Sequence, residues 1–373
     1  MKVLLTIVRI IVGVLFIFSG LVKANDPSGL SYKMQEFFDV WGWSFLNDYS
    51  LAFALLMNTF EIVAGVAVLL GWQMRLFSWL LLLLIIFFTF LTGYAVLHPD
   101  QIKTCGCFGD CLPLTPLQSF LKDLFLTALI LFIFIKRKTI RPVLSATSNG
   151  VLLTLTILFC IILQWYVLKH LPIVDCLPYK AGNNIVEKMK APEGAITDSF
   201  AITFKYRKNG KDVEFDMNNF PEDFNDSTYQ FVDRYQKLIR QGTAQAPITE
   251  FSLTTLNGTD TTIAILNQPG TYVMLFLKDA GTAEKDWAKN AAEVARVCKQ
   301  KQIPFYVVTA TVEVAQQQLK STDINFLRSD ATVIKTAARV NPTYFIMKQA
   351  DVLGKYANAD YEKAIEKVNV IGK

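Results

Sequence analysis

The sequence is poor in charged residues, and no two of its cysteines have the C-x-x-C spacing of thiol-exchange proteins. Charged side chains make up 18% of the 373 residues, against 52% that are hydrophobic, and the net charge is only +5. No basic patch with interleaved aromatic residues occurs, so we expect no nucleic-acid partner. The N-terminal apolar stretch also lacks a small-residue cleavage site, which favours a retained helix over a removable signal peptide.

The hydrophobic residues are concentrated before residue 170, and the rest of the chain has the composition of a soluble domain. Crossing a bilayer takes about 20 largely apolar residues. The stretch "LFSWLLLLLIIFFTFLTGYAVL" is apolar on every face, which is not expected of a helix at the surface of a soluble protein. The pattern predicts a multi-pass protein in contact with the lipid bilayer, with five spans at about 3–22, 51–71, 76–97, 119–135 and 149–168.

Basic residues next to the spans predict the orientation, because they are enriched on the cytoplasmic side. With a cytoplasmic N-terminus, the internal segments carry Lys2, Arg75 and the cluster "KRKTIR" at 136–141. Five spans then place the loop 98–118 and everything after residue 170 on the opposite side. In a bacterium this predicts an inner-membrane protein whose C-terminal half is periplasmic.

Three of the six cysteines lie in "KTCGCFGDCLPLTP", between the third and fourth spans, and Cys176 follows the fifth. A disulfide within Cys-Gly-Cys closes a small, strained ring that exchanges readily, so Cys105 and Cys107 are the redox candidates. Cys111 and Cys176 are the candidates for a disulfide that is structural or that passes electrons to the soluble domain. Two static disulfides are the alternative. We expect no metal, because C-x-C-x3-C is not a usual zinc spacing and an oxidising compartment disfavours free thiolates.

Glu61 and Arg9 are ionisable residues inside the predicted spans. Glu61 falls near the middle of the second span, where a charge is costly and is a candidate functional residue. It could handle protons, or it could form an intramembrane ion pair with Arg9 of the first span. Lys23 is expected to anchor the outer end of the first span.

The motifs "VRIIVGVLFIFSGLVK", "FEIVAGVAVLLG" and "CGCFG" resemble the DoxX-like membrane proteins, and in particular their MauE-like branch, over about residues 1–140. The resemblance implies a four-helix membrane bundle in a family linked to disulfide formation in periplasmic proteins. Comparison of that bundle with quinone-linked reductases makes a membrane quinone the candidate electron acceptor. The fifth span and a linker, residues 141–184, lie outside the resemblance.

The region 247–373 alternates strands and helices and resembles a thioredoxin-like α/β domain, in which Pro342 would be the cis-proline facing the active site. The junction where C-x-x-C would stand reads "LKDAGTAEKDW", so the domain is expected to bind a partner rather than to exchange disulfides. Residues 185–246 are predicted to be a small α+β insert, with a β-hairpin around Asn-Gly and a helix in "DSTYQFVDRYQKLIRQG".

The predicted fold is therefore a four-helix membrane bundle with a fifth transmembrane helix, followed by an α/β thioredoxin-like domain. The favoured function is a membrane thiol–disulfide oxidoreductase that supports disulfide formation in a periplasmic client protein. A non-enzymatic membrane anchor or assembly factor that presents a binding domain is one alternative. A small-molecule transporter that depends on Glu61 is another.

Overall fold

The chain forms two compact units, one of residues 1–182 and 252–373 and one of residues 183–251. The predicted domain boundaries at 140, 184 and 246 stay predictions. The computed structural model describes residues 2–99, 101–102, 106, 109–191, 194, 199–208, 211–216, 221, 224, 228–240, 246–319 and 324–371.

Within the part of the chain that the structure describes, five helices are long and apolar enough to cross a membrane, which confirms the five predicted spans. They are accompanied by one shorter helix, α2, that the sequence did not predict. In chain order the helices are α1 (Lys2–Asn25), α2 (Pro27–Val40), α3 (Ser50–Leu70), α4 (Met74–Leu97), α5 (Pro116–Lys136) and α6 (Ala146–His170).

Helices α1 and α3 pack so closely that their backbones approach at glycine residues. A Cβ atom at Gly65 would lie 2.8 Å from the carbonyl oxygen of Gly13. Small residues at such crossings permit the tight packing that drives helix association in lipid. The register of this antiparallel pair determines which polar residues of the two helices face each other.

The short helix α2 begins immediately after α1 ends. The Asp26 carboxylate caps its N-terminus by accepting a hydrogen bond from the Gly29 amide at 3.0 Å, and Pro27 occupies the first turn. Both features are favourable at a helix start. The helix packs on α3 and has no counterpart among the predicted spans, because its own composition is mixed.

The unit of residues 183–251 contains the short helix α7 (Ile185–Lys188) and a three-stranded antiparallel sheet in the order β2-β1-β3. The strands are β1 (Ser199–Lys208), β2 (Lys211–Asp216) and β3 (Tyr229–Arg240). The predicted β1–β2 hairpin is present, with Lys208 opposite Lys211. The helix predicted over β3 is wrong. The segment instead pairs with β1 as the third strand of the sheet. A two-stranded hairpin alone is marginally stable, so the third strand stabilises the sheet.

The C-terminal α/β region, residues 252–373, has a five-stranded sheet in the order β6-β5-β4-β7-β8. Strands β4, β5 and β6 are parallel, whereas β7 and β8 are antiparallel to their neighbours. Its elements are α8 (Thr262–Leu266), β4 (Thr271–Leu277), α9 (Trp287–Gln300), β5 (Phe305–Thr309), α10 (Val312–Leu319), β6 (Asn325–Arg328), α11 (Ala331–Ala337), β7 (Thr343–Lys348), β8 (Asp351–Ala357) and α12 (Tyr361–Ile371).

The apolar run of β4 is buried on both faces, as expected for a central strand between two layers of helices. The predicted elements β4, α9, β5, α10, β7 and β8 are present. The predicted opening hairpin is reduced to one bridge between Thr254 and Asp260, and Thr254 also bridges to Arg328 of β6. Helix α11 and the loop 338–342 follow β6, and they lie at the end of the sheet that contacts the membrane helices.

Candidate functional site

The cysteine loop between α4 and α5 is tied to the segment after α6. A disulfide joins Cys111 to Cys176 across 65 residues of sequence, with a Cα–Cα distance of 4.9 Å. This is the pair that the sequence singled out. Cys105 and Cys107 lie outside the described residues, but Gly106 between them is described. Among the described residues, Cys160 and Cys298 are free and buried.

Gly106 occupies a position that a larger residue would not fit. Its φ is +65°, in the left-handed region that favours glycine, and an added Cβ atom would lie 2.9 Å from Cγ of Lys33 in α2. The backbone between the two candidate redox cysteines is therefore packed against α2.

Gly106 lines two different cavities. The first, here called the polar cavity, has a volume of about 310 Å³ and lies between α2, the cysteine loop and α11. Charged and polar side chains from the membrane helices and from the C-terminal α/β region face it. They include Lys33, Glu36, Asp110, Lys335 and Arg339.

The second cavity, here called the apolar groove, has a volume of about 470 Å³ and lies between α2, α3 and α4. Its walls are almost entirely aromatic and aliphatic, and the buried Lys23 is its one deep cation among the described residues. The aromatic and aliphatic residues that define it best are Phe37, Trp41, Phe53, Phe60, Phe87 and Leu91.

Arg339 joins the C-terminal α/β region to the membrane helices. Its guanidinium donates to Asp26 Oδ2 at 2.7 Å and also to Asp110, which belongs to the cysteine loop. Arg339 is only 6% exposed. Burial acts to lower its pKa, but the carboxylates of Asp26 and Asp110 outweigh burial and raise the pKa of Arg339. The contacts of Arg339 with Asp26 and Asp110 place the end of the sheet directly beside the cysteine loop.

Lys278 stands at the end of β4, the position at which the sequence lacks C-x-x-C. Its Nζ donates to Tyr32 Oη and to the carbonyl oxygen of Arg339, both at 2.9 Å. Burial lowers the pKa of Lys278 to about 7, and the nearby cations Arg339 and Lys335 add to this, whereas Asp26 opposes it. We call Arg339, Asp26, Asp110, Tyr32 and Lys278 the Arg339 cluster.

The peptide bond between Asn341 and Pro342 is cis. The Asn341 side chain accepts a hydrogen bond from the Lys278 amide at 2.9 Å and donates to the Asp279 carbonyl at 2.8 Å. This loop therefore braces the end of β4. Cys298, in α9, is fully buried, and burial raises the pKa of its thiol to about 12.

The predicted ion pair between Arg9 and Glu61 is wrong. Glu61 instead pairs with Lys23, and both side chains are buried. Arg9 donates to the carbonyl oxygens of Val68 and Leu69, at 3.1 and 2.9 Å, at the C-terminal end of α3. Because α1 and α3 are antiparallel, the start of α1 lies beside the end of α3, where carbonyls lack helical partners and favour a cation.

Asp123 in α5 is a second buried carboxylate, and the sequence interpretation missed it. It is 1% exposed, it accepts from Thr92 Oγ1 at 3.1 Å, and it pairs with Lys122 at 2.9 Å. The signal was the same as for Glu61, an acidic residue inside a predicted span. Among the described residues of the membrane helices, a buried carboxylate thus pairs with a lysine at Glu61–Lys23 and at Asp123–Lys122.

These features define a multi-pass membrane protein in which a cysteine loop lies beneath a C-terminal α/β region. Residues 1–136 match the family described as "Methylamine utilisation protein MauE", and residues 200–241 match a "Domain of unknown function (DUF8463)". The predicted MauE-like membrane domain is thereby confirmed.

A curated relative, "Protein TlpB" of Flavobacterium psychrophilum, is 25% identical over 129 residues, which are 34% of this chain and 35% of TlpB. The match thus spans about a third of the length of that relative. No solved structure matches the chain.

Proposed function

We propose that this protein is a membrane thiol–disulfide oxidoreductase that forms disulfides in client proteins outside the cytoplasm, with Cys105 and Cys107 as the exchanging pair. The observation that carries the proposal is the position of Gly106, which lines both the polar cavity and the apolar groove. A residue between two cysteines thus borders a space suited to a peptide and a space suited to a membrane-soluble molecule. These are the two reactants that such an enzyme must bring to one dithiol.

The proposed reaction is a relay of two exchanges. The Cys105–Cys107 disulfide is attacked by a client thiolate, a second client thiolate then releases the client as a disulfide, and the loop is left as a dithiol. Two electrons and two protons must then leave the loop to restore its disulfide. A bound lipid quinone supplies the chemistry of taking up both and becoming a quinol.

The apolar groove fits such an acceptor. Its aromatic lining suits an isoprenoid tail and a planar ring, and the Lys23 ammonium group could donate a hydrogen bond to a ring carbonyl. A charged or strongly polar acceptor would lose its hydration in these walls without replacement, because Lys23 is the one deep cation among the described lining residues.

The C-terminal α/β region is proposed to be a thioredoxin-like domain that binds the client instead of oxidising it. The strand order and the cis bond before Pro342 support the resemblance. In such a domain Lys278, at the end of β4, would stand where a reactive cysteine is expected. The Arg339 cluster holds this end of the sheet beside the cysteine loop. A client held at the polar cavity would therefore present its thiols to Cys105 and Cys107.

The proposal is tested with full-length protein in lipid nanodiscs that contain a long-chain quinone and a reduced two-cysteine peptide. We expect the double variant Cys105→Ser, Cys107→Ser to lower peptide oxidation to the rate of empty nanodiscs. The matched control Cys298→Ala removes a buried thiol far along α9 and should keep the full rate. Oxidation at an unchanged rate by the double variant would exclude the proposal.

The alternative of a non-enzymatic anchor or assembly factor is favoured by one observation: a lysine, Lys278, and no cysteine follows the end of β4. It predicts that the Cys105→Ser, Cys107→Ser variant still captures a client protein and supports its assembly. The same nanodisc preparation distinguishes the two functions, since binding and oxidation are measured separately.

A further inference from the structure

The pair of Lys23 and Glu61 separates the apolar groove from a second, smaller space inside the bundle. This inner cavity has a volume of about 30 Å³, and Lys23 and Phe88 line it as well as the groove. A cavity of that size holds about one water molecule if its walls offer polar partners. Glu61, Asp123 and Ser19 are polar residues in its wall.

Glu61 has hydrogen-bonding capacity that the described residues do not use. One carboxylate oxygen pairs with Lys23, but Oε2 is buried and has no hydrogen-bond partner among the described residues. The side chain is 1% exposed. A buried carboxylate oxygen without a partner carries a large free-energy cost, so a water molecule in the adjacent cavity is its natural partner.

On the other side of the cavity, Asp123 extends the polar path towards the surface. Its two oxygens contact Lys122 and Thr92, and the Lys122 side chain is 24% exposed. Lys23, Glu61, Asp123 and Lys122 therefore all line the inner cavity, with Lys23 also bordering the groove and Lys122 partly exposed. Lys122 lies in the second turn of α5, at the end of the bundle that carries the cysteine loop.

We infer that these residues form a proton route between the apolar groove and the aqueous side that carries the cysteine loop. The inference rests on the proposed function, because reduction of a quinone in the groove takes up two protons with its two electrons. Oxidation of the loop dithiol to a disulfide releases two protons on the aqueous side, so charge and protons balance. Glu61 exchanges its proton with Lys23 on one side and with water and Asp123 on the other.

Charged groups face Glu61 from two of the neighbouring helices. Helix α1 contributes Lys23, and α5 contributes Asp123 and Lys122. Helix α4 contributes the uncharged Phe88. In α6 the buried Cys160 and Gln164 are uncharged. Glu61 therefore lies between one close lysine and a second carboxylate.

The test separates the two half-reactions of full-length protein in quinone nanodiscs. Glu61→Gln and Asp123→Asn are compared with Asp48→Asn, an exposed carboxylate outside the route. We expect Glu61→Gln to slow reoxidation of the reduced loop by quinone about a hundredfold, the lower range for loss of a positioned proton donor. Stoichiometric disulfide exchange with the peptide, which needs no proton from the groove, should keep its rate.

A second readout does not depend on redox activity. Infrared difference spectra on acidification, recorded in the Cys105→Ser, Cys107→Ser background, should contain a carboxylic-acid band that exchanges in heavy water and disappears with Glu61→Gln. If Glu61→Gln alone does not fold, the double variant Lys23→Gln, Glu61→Gln takes its place, because it removes both charges of the buried pair. Normal reoxidation in either Glu61 variant, or the absence of an exchangeable band, would overturn the route. Failure of peptide exchange would instead reject the proposed function and leave the infrared result to decide the route.

Discussion

Arg339 brings together carboxylates from two separate segments of the membrane domain. Asp26 caps α2, and Asp110 lies in the cysteine loop, yet both contact one guanidinium that is nearly inaccessible to water. Removal of one partner from a buried ion pair leaves an uncompensated charge, which costs more than the pair itself contributes. Arg339 is therefore a principal ionic contact between the C-terminal α/β region and the helices, beside the hydrogen bond from Lys278 to Tyr32.

We expect Arg339→Gln to lower the stability of detergent-solubilised protein by ~3 kcal/mol, because Asp26 and Asp110 lose their buried cation. The measurement is the midpoint of thermal unfolding. Arg328→Gln is the matched control, because Arg328 pairs with Glu313 at an exposed site, where an ion pair contributes at most ~1 kcal/mol. Equal midpoints for both variants would contradict the importance assigned to Arg339.

Lys278 should make stability depend on pH. Its pKa is lowered from 10.5 to about 7, so between these values the unfolded chain binds a proton that the folded chain does not. Stability therefore rises with pH through this window, and the cost of protonating Lys278 is fully present below pH 7. We expect unfolding to become harder by about 2 kcal/mol from pH 7 to pH 9.

The check on Lys278 is a pair of unfolding curves, one at each pH, for wild type and Lys278→Met. The variant should lose the dependence, whereas Lys348→Met, which alters an exposed lysine in β7, should keep it. A wild-type stability that does not change, or that falls, between the two pH values would show that Lys278 stays charged in the folded protein.

The helices of the membrane domain were predictable from composition, but their polar contacts were not. Five apolar runs of sufficient length identify five spans directly. The partner of Glu61, in contrast, depends on how α1 and α3 are aligned. The sequence alone does not give that alignment, so it leaves both Arg9 and Lys23 as possible partners. Asp123 was within reach, because an acidic residue in a span is visible in the sequence. The Arg339 cluster was not, since its members are far apart in the chain.

Strands were predicted unevenly for a similar reason. The central strand β4 is recognisable because it is apolar throughout, whereas β3 combines helical spacing of its apolar residues with strand pairing in the structure. Local pattern and tertiary pairing compete in such a segment, and pairing prevails when a neighbouring strand offers a complete edge.

Gly106 and Gly109 allow a controlled test of the cysteine loop. Both have positive φ, but a Cβ atom at Gly109 would approach only Val22, at 3.8 Å, whereas at Gly106 it would lie 2.9 Å from Lys33 Cγ. We expect Gly106→Ala to slow peptide oxidation about tenfold or more. Both variants strain the backbone, but only at Gly106 does the new Cβ atom also push the cysteine loop away from α2. Gly109→Ala should have the smaller effect in the same assay, and the reverse order would contradict this account.

At the scale of the whole molecule, the contacts place the cysteine loop and the C-terminal α/β region at one end of the helices. The proposed orientation makes this end periplasmic. We expect a membrane-impermeant thiol reagent to label Asp48→Cys in intact bacterial cells and to label Lys138→Cys only after the cells are opened. Labelling of Lys138→Cys in intact cells would reverse the orientation and place the cysteine loop in a reducing compartment.

The bond between Cys111 and Cys176 also orders events during biosynthesis. Its two halves lie before α5 and after α6, so the crosslink cannot close until translation has passed residue 176 and both helices have been inserted. When nascent chains of increasing length are arrested on the ribosome, the Cys111–Cys176 disulfide should form only in chains long enough to expose residue 176.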